Sequence, residues 1–329
     1  MTEPTPTPGI HHVTCMAGDP QRNLDFWVET LGLRLVKRSI NQDDPGTYHF
    51  FFADAEGTPG TSMTFFPWPD ARPGKVGSGQ VARTAFRVPE ASLDYWQERF
   101  DDHGVDYDDP IERFGETVLP FRDPDGLPVE LVAVSIPDDD PTVPWTAVVP
   151  EKNAIRGFHS VTLWLADPEP SADLLHTMGL EEVGTETAQG DTPGDKRTRF
   201  AAAGPVGTYV DVLPTVAGGR QGRGVVHHVA FQTPTDDDQE AMRAAVRSAG
   251  LSPTRQIDRH WFRSVYFREH GGVLFELATN GPGYASDEPV ADLGGRLVLP
   301  GQFEARRDEI EAGLPDVRIP GTPTLATEE

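Results

Sequence analysis

A fourfold internal repeat constrains the fold of this 329-residue chain more than any other feature. Each copy has an apolar strand, an amphipathic helix, and further strands that end in a glycine-led apolar strand. The copies are predicted at residues 9–68, 80–136, 156–214 and 224–280. Repeated units of this kind stack on one another to bury a shared core. The sequence therefore predicts an α+β fold made of four βαβββ modules.

Glycines mark the ends of the four helices, because glycine readily adopts the left-handed conformation that closes a helix. In the first module, Asp19 can cap a helix over residues 23–31, which ends at Gly32. The other helices are predicted with their terminal glycines at 91–103 (Gly104), 171–178 (Gly179) and 235–249 (Gly250). This regular spacing supports the module boundaries.

The repeat also predicts how the chain divides into domains. Residues 9–136 form an N-terminal domain, residues 137–155 a linker, and residues 156–280 a C-terminal domain. An extended arm at 1–8 precedes them, and a tail at 281–329 follows. Two domains are also expected from the length, because 329 residues exceed what one hydrophobic core usually supports.

Composition and charge exclude several classes of partner. The formal net charge is −24, and only four of the 28 basic residues are lysines. Such an acidic surface is a poor partner for nucleic acid and anionic membranes. It is typical of adaptation to a high-salt cytoplasm, where screening removes the cost of self-repulsion. The single cysteine, Cys15, excludes an intrachain disulfide.

No sequence segment indicates export or membrane insertion. Residues 1–8 lack the basic region and the apolar core of a signal peptide. No apolar stretch approaches the length of a membrane span. We therefore expect a cytoplasmic protein.

Two histidine pairs occupy matching positions in the first and fourth modules. His11 and His12 lie in the opening strand of module 1, and His227 and His228 lie in that of module 4. Neighbouring residues on a strand point to opposite faces, so only one member of each pair can face the concave side of a sheet. The alignment of the modules selects the second member of each pair.

The closing strand of each module supplies one further inward position. In module order, the residues at this position are Thr64, Glu130, Asp211 and Glu276. Modules 1 and 4 together would offer two imidazoles, one carboxylate and a small hydroxyl. Two histidines and one carboxylate are the ligand set of a non-haem iron(II) site with open positions. A carboxylate in an apolar strand, such as Glu276, also needs a partner or a metal.

Other pairings of the modules give poorer metal sites. Modules 2 and 3 would present Arg83, Glu130, Ser160 and Asp211. The arginine opposes cation binding, so we expect this second cup to be structural. Modules 3 and 4 would offer one histidine with two carboxylates, which suits a hard cation better than a redox iron. Modules 1 and 2 would give one histidine, one glutamate and an arginine, so the 1+4 pairing is favoured.

These features resemble the vicinal oxygen chelate superfamily, which includes glyoxalase I, extradiol dioxygenases and fosfomycin-resistance proteins. In that family, paired βαβββ modules form open barrels, with metal ligands on the first and last strands of the modules. The chain is most similar to ring-cleaving dioxygenases that act on hydroquinones. The closer similarity is carried by the histidine pair with Thr14, the stretch from Arg259 to Tyr266, residues 275–284, and the tail from 299 to 315.

The resemblance implies two open-barrel domains, with modules 1 and 4 sharing a cup that binds iron(II), or alternatively manganese(II), through His12, His228 and Glu276. Five catalytic candidates surround the substrate: His11, Thr14, His227, Arg259 and Tyr266. The implied reaction is extradiol-type cleavage of a hydroquinone or related aromatic diol with both atoms of O2, in the degradation of aromatic compounds. The implied partners are a small aromatic substrate, O2 and further copies of the chain.

Two other functions remain open at this point. A glyoxalase-like isomerase or thiol transferase would use zinc, nickel or manganese with a fourth protein ligand, where this chain has Thr64. A metal-free binding or resistance protein would not need the intact triad. His159 aligns with the outer histidines and is expected not to bind metal. Surface or packing positions are expected for His49, His103, His176, His260 and His270.

Overall fold

The computed structural model describes residues 4–189 and 195–320, so parts of the predicted arm 1–8 and tail 281–329 lie outside the described residues. The strands of modules 1 and 2 are β1 (Ile10–Ala17), β2 (Arg34–Asn41), β3 (Asp44–Ala53), β4 (Ser62–Pro67), β5 (Gln80–Pro89), β6 (Ile111–Arg113), β7 (Glu116–Arg122) and β8 (Pro128–Val134). Those of modules 3 and 4 are β9 (Phe158–Leu165), β10 (Glu181–Thr187), β11 (Lys196–Ala201), β12 (Tyr209–Pro214), β13 (Val225–Thr233), β14 (Ile257–Asp258), β15 (Arg263–Arg268) and β16 (Leu274–Thr279). The α-helices are α1 (Pro20–Asp25), α2 (Leu93–His103), α3 (Glu169–Thr177), α4 (Asp236–Ser248) and α5 (Arg307–Gly313).

The strands form two eight-stranded sheets, and each sheet combines two modules. The first has the order β14-β15-β16-β13-β1-β4-β3-β2 and joins modules 4 and 1. The second has the order β10-β11-β12-β9-β5-β8-β7-β6 and joins modules 3 and 2. The predicted α+β fold of four modules is confirmed, and so is the pairing of module 1 with module 4. Each sheet takes strands from both halves of the chain, so the domain boundaries 9–136 and 156–280 stay a prediction.

The pairing of β1 with β13 joins modules 1 and 4 at the centre of the first sheet. These strands are antiparallel, and Thr14 lies opposite His228. The parallel pairing of β1 with β4 puts Thr14 beside Thr64. The parallel pairing of β13 with β16 puts Ala230 beside Glu276. The inward positions of both modules therefore meet on neighbouring strands in the middle of the sheet.

The helix ends follow the sequence signals. Asp19 accepts a hydrogen bond from the backbone of Arg22, as its predicted capping role requires. After α1, the chain continues as a π-helix over Phe26–Thr30. The left-handed backbone that ends a helix is found at Gly32, Gly104, Gly179 and Gly250. Within residues 4–189 and 195–320, none of the helices combines the length and apolar character needed to cross a membrane.

Strand alternation divides the aromatic residues of β3 between the core and the cup. Phe50 and Phe52 are fully buried in the main core, where the ring of Trp27 lies 6.3 Å from that of Phe52. Phe51 faces the other way and packs against Trp261, with 5.2 Å between the ring centres. Successive side chains of a strand point to opposite faces, so β3 supplies both the core and the cup wall.

A buried lysine fastens the C-terminal segment to the wall of the first sheet. Lys37 on β2 is fully buried, and its ammonium contacts the carboxylates of Asp287 and Glu288. The ammonium also lies 5.5 Å from the ring centre of Trp261. The indole Nε1 of Trp261 donates a 3.0 Å hydrogen bond to Asp287. This cluster holds Trp261 against the cup.

Replacing Lys37 with methionine should lower the free energy of unfolding by about 3–5 kcal/mol, because it removes the buried cation that pairs with the buried carboxylate of Glu288 and the partly exposed carboxylate of Asp287. Urea unfolding followed by tryptophan fluorescence measures the change. The matched control is Lys152→Met, at an exposed lysine, which should leave the stability unchanged. Equal stabilities of the two variants would contradict the role assigned to the buried cluster.

Candidate metal centre

Three side chains from neighbouring strands converge at the closed end of the cup. His12 Nε2 lies 3.3 Å and His228 Nε2 lies 2.9 Å from Glu276 Oε2. The two Nε2 atoms are 3.4 Å apart. All three residues are buried. In the part of the chain that the structure describes, they form the one group of histidine, cysteine and carboxylate side chains placed to hold a metal ion.

The spacing and chemistry of these atoms fit a metal ion. Ligand atoms about 2.1 Å from a metal, and at right angles to one another, lie about 3.0 Å apart. Glu276 Oε2 is buried, yet its contacts with the two imidazoles lack hydrogen-bond geometry, and it has no hydrogen-bond partner among the described residues. A buried polar atom is costly unless it is paired. A cation between the carboxylate and the imidazoles would satisfy it.

The carboxylate is fixed in one orientation and in one charge state. Glu276 Oε1 accepts a 2.5 Å hydrogen bond from Ser264 Oγ on β15. Burial raises the pKa of the Glu276 carboxyl, but the imidazoles of His12 and His228 outweigh this effect and hold the pKa well below its ordinary value. Glu276 is therefore ionised at neutral pH, as a metal ligand has to be.

Each inner histidine is backed by the outer histidine of its pair. His12 Nδ1 lies 2.9 Å from His11 Nδ1, and His228 Nδ1 lies 2.8 Å from His227 Nδ1. An inner ring that binds a metal through Nε2 carries its proton on Nδ1 and donates it. The outer ring then accepts at its own Nδ1, which requires a neutral ring with the proton on Nε2.

Burial keeps the rings of His11 and His227 neutral, but the two rings lie in different surroundings. Burial, with a smaller effect of His12, lowers the pKa of His11 to about 3. Burial and then His228 lower the pKa of His227 to about 3. His11 is buried and is not among the side chains that line the cavity, whereas His227 lines it. Of the two outer histidines, His227 is the one placed to meet a ligand.

A cavity of about 290 Å³ is lined by His12 and His228 and therefore lies next to the three converging side chains. Its wall includes Thr14, Arg259 and Tyr266 together with five aromatic side chains: Phe51, Phe66, Trp68, Trp261 and Phe262. An apolar cavity of about 150 Å³ is known to hold a benzene ring, so this one has room for a ring with substituents. Aromatic walls with a few polar groups suit a flat, largely apolar ligand.

Arg259 and Tyr266 form one side of the cavity. The Arg259 guanidinium lies 5.6 Å from the ring centre of Tyr266, and its Nη2 donates a 2.9 Å hydrogen bond to Asp43. Tyr266 is paired with Glu276 across β15 and β16, as the predicted hairpin requires. Burial raises the pKa of the Tyr266 phenol well above its ordinary value. The phenol is therefore protonated at neutral pH and can donate a hydrogen bond.

His49 lines the cavity in addition to the packing role expected for it, because its ring packs against Phe51 and Phe66. It lines the cavity, and its Nε2 lies 3.0 Å from Thr64 Oγ1. Thr64 Oγ1 lies 2.8 Å from Thr14 Oγ1. The sequence did carry a signal: His49 is two residues before Phe51 on β3 and therefore shares its face.

In modules 2 and 3, the residues at the matching closing-strand positions are Glu130 and Asp211, and both form buried ion pairs. Arg113 donates to both oxygens of Glu130, at 2.6 and 3.0 Å, and Arg83 Nε lies 3.4 Å from the same carboxylate. Arg199 donates to both oxygens of Asp211, at 2.8 and 3.1 Å. These guanidinium groups neutralise the carboxylates that would otherwise attract a cation. The arrangement agrees with the expected structural role of this cup.

His159 lies in this second cup, away from the three converging side chains. Its Nε2 is 3.1 Å from Glu116 Oε1, and its Nδ1 is 3.1 Å from Ser160 Oγ. Both ring nitrogens are thus engaged with protein atoms. The remaining histidines are exposed or make packing contacts, as expected: His103, His176, His260 and His270.

Comparison with known proteins agrees with this geometry. The model of the Glyoxalase/Bleomycin resistance protein/Dioxygenase superfamily matches residues 9–131 and 137–277. MhqO of Bacillus subtilis (strain 168), a protein named as a ring-cleaving dioxygenase, is 44% identical over 312 residues, which cover 94% of this chain and 96% of the relative. The chlorohydroquinone/hydroquinone 1,2-dioxygenase of Sphingobium indicum is 33% identical over 319 residues, which cover 94% of this chain and 97% of that enzyme.

Solved structures show the same architecture. A crystal structure described as a dioxygenase of Bacillus subtilis superposes with a TM-score of 0.88 at 42% identity and covers 96% of this chain and 99% of that chain. Glyoxalase I of Zea mays superposes with a TM-score of 0.58 at 17% identity, covering 83% of this chain and 92% of that chain. The second likeness concerns the fold alone.

Replacing His12 with alanine should abolish retention of a divalent metal, because it removes one of the three converging ligand atoms. Metal content after loading and gel filtration, measured by mass spectrometry, tests this expectation. The matched control is His159→Ala in the second cup, which should retain as much metal as the unaltered protein. Loss of metal in His159→Ala with retention in His12→Ala would place the site between modules 3 and 4 instead.

Proposed function

The chain belongs to the glyoxalase/bleomycin resistance protein/dioxygenase superfamily, and from that premise we propose that it is an iron(II)-dependent, extradiol-type ring-cleaving dioxygenase. The substrate that we propose is a hydroquinone or a related aromatic diol. One observation carries the proposal: two imidazoles that line an aromatic-walled cavity converge with one buried carboxylate. The full-length relatives named as ring-cleaving dioxygenases support the same reaction class.

In this proposal His12, His228 and Glu276 hold the metal. Two histidines and a carboxylate on one side of an ion leave the opposite positions open, here toward the cavity. Bound iron(II) supplies the redox chemistry that lets electrons pass from the diol to O2. Manganese(II) is the alternative metal, because the same ligand set accommodates it.

The other cavity residues bind and orient the substrate. The aromatic walls receive the flat ring, and the remaining donors face its oxygen atoms: the Tyr266 phenol, the Arg259 guanidinium, the Thr14 hydroxyl and the Nε2 proton of His227. Donors fixed in place before the reaction stabilise negative charge as it develops on oxygen. His11 acts behind the cavity by holding the ring of His12.

The reaction needs no further reductant. One carbon–carbon bond next to a hydroxylated ring carbon breaks, and both atoms of O2 enter the ring-opened product. The electrons that reduce O2 come from the diol itself. The aromatic side chains of the cavity wall would limit the access of water to the reacting atoms.

The fourth inward position favours a dioxygenase over a glyoxalase-like isomerase. A fourth protein ligand, as such isomerases use, would stand at Thr64. The Thr64 hydroxyl is instead engaged with Thr14 and His49. A metal-free binding protein is disfavoured by the ionised, buried carboxylate of Glu276, whose Oε2 needs a cation.

We also propose that the protein forms homo-oligomers and works in the cytoplasm. The net charge of −24 suits a cytoplasm of high salt concentration, where screening weakens repulsion between acidic side chains.

Anaerobic reconstitution with iron(II), followed by separate addition of hydroquinones and catechols in air-saturated buffer, tests the function. We expect O2 uptake with at least one hydroquinone, in step with absorbance from a ring-opened product. The His12→Ala variant, treated in the same way, should take up no O2 above background. Absence of uptake with every diol, together with isomerase activity under zinc or nickel, would overturn the proposal.

A further inference from the structure

Three polar side chains lead from β3 to the open side of the triad. His49 Nε2 is 3.0 Å from Thr64 Oγ1, which is 2.8 Å from Thr14 Oγ1. Thr14 lines the cavity two residues beyond His12 on the same strand. We call this row the His49–Thr64–Thr14 relay. It ends beside the space where a ligand of the metal would lie.

The direction of the hydrogen bonds in the relay depends on one proton. A neutral imidazole has one donor nitrogen and one acceptor nitrogen. With the proton on Nε2, His49 donates to Thr64, Thr64 donates to Thr14, and the Thr14 proton is free to point into the cavity. With the proton on Nδ1, each bond reverses, and Thr14 offers the cavity only lone pairs.

The surroundings of His49 favour the proton on Nε2. Burial, followed by His12 and His228, lowers the pKa of His49 well below its ordinary value, so the ring is neutral. Its ring centre lies 3.9 Å from that of Phe51 and 4.4 Å from that of Phe66. Among the described residues, Nε2 is the ring nitrogen with a hydrogen-bond partner. With the proton on Nε2, the single N–H of the neutral ring is used in this hydrogen bond.

The repeat offers a structural parallel for this direction. Phe51 is paired with Thr64 across β3 and β4, and Tyr266 is paired with Glu276 across β15 and β16. His49 and Ser264 precede those residues by two and therefore correspond to each other. Ser264 Oγ donates to Glu276, because an ionised carboxylate can only accept. In the matching place of module 1, a proton on Nε2 would make His49 the donor to Thr64.

We propose that His49 is a positioning residue that fixes the direction of the His49–Thr64–Thr14 relay, so that Thr14 donates a hydrogen bond to the oxygen of a ligand on the open side of the metal site. Module 4 has Ala230 where module 1 has Thr14, so the donor exists on one side of the cup only. The position of the proton on His49 does not depend on the proposed function. The effect of the relay on ring cleavage rests on that function.

Nitrogen NMR of the protein labelled with 15N-histidine tests the proton position directly. Spectra are recorded without metal and again with zinc(II) in place of iron, and the His49→Phe variant assigns the signals of His49. We expect a protonated Nε2 and an unprotonated Nδ1 in both states. A proton on Nδ1 of His49 would overturn the proposal, whatever reaction the protein catalyses.

Kinetics test whether the relay serves the reaction. Thr64→Val removes the middle hydroxyl, and His49→Phe removes the donor but keeps a ring between Phe51 and Phe66. Each should lower kcat for the accepted hydroquinone by about 10- to 100-fold, with little change in KM or metal content. The double variant should be no slower than Thr64→Val, because the two residues act through one path.

Thr64→Ser, which keeps the hydroxyl, should recover most of the kcat that Thr64→Val loses. An unchanged kcat in His49→Phe, or additive losses in the double variant, would overturn the role of the relay. If the unaltered protein takes up no O2 with any diol, the proposed function fails, while the NMR measurement still decides the direction of the relay.

Discussion

The antiparallel pairing of β1 with β13 is the interaction on which the rest of the molecule depends. It joins the first and fourth modules, so that His12 and His228 meet although 216 residues separate them in the chain. The parallel partners of these two strands, β4 and β16, then bring Thr64 and Glu276 to the same cup. Without the pairing of β1 with β13, module 1 alone has only His12, and module 4 alone has only His228 and Glu276.

The two cups of the molecule treat a buried carboxylate in different ways. In the second cup, Glu130 is neutralised by the guanidinium of Arg113, a cation that the chain itself supplies. In the first cup, Glu276 faces two imidazoles, and its Oε2 keeps no hydrogen bond with a described residue. A buried charge without a paired cation is costly, so the same backbone architecture makes a structural ion pair in one place and a ligand set suited to a metal in the other.

Much of the fold and of the metal site could be predicted from the sequence, because strand alternation and the internal repeat are visible in the order of the residues. The inward positions of His12, His228 and Glu276 follow from a period of two residues and from the alignment of the modules. The role of His49 depends on the register across a hairpin, and that of Lys37 on a tertiary contact with residues near position 287. Strand alternation places His49 on the same face as Phe51, but its contact with Thr64 and the ion pairs of Lys37 emerge only from the folded structure.

X-ray absorption at the iron edge of the iron(II)-loaded protein tests the central claim most directly, namely that modules 1 and 4 together build the metal site. The account predicts two imidazole rings and oxygen ligands at about 2.1 Å. It also predicts that the His228→Ala variant loses one imidazole or the metal itself. A spectrum with fewer than two imidazoles in the unaltered protein, or with two imidazoles still present in His228→Ala, would contradict the account.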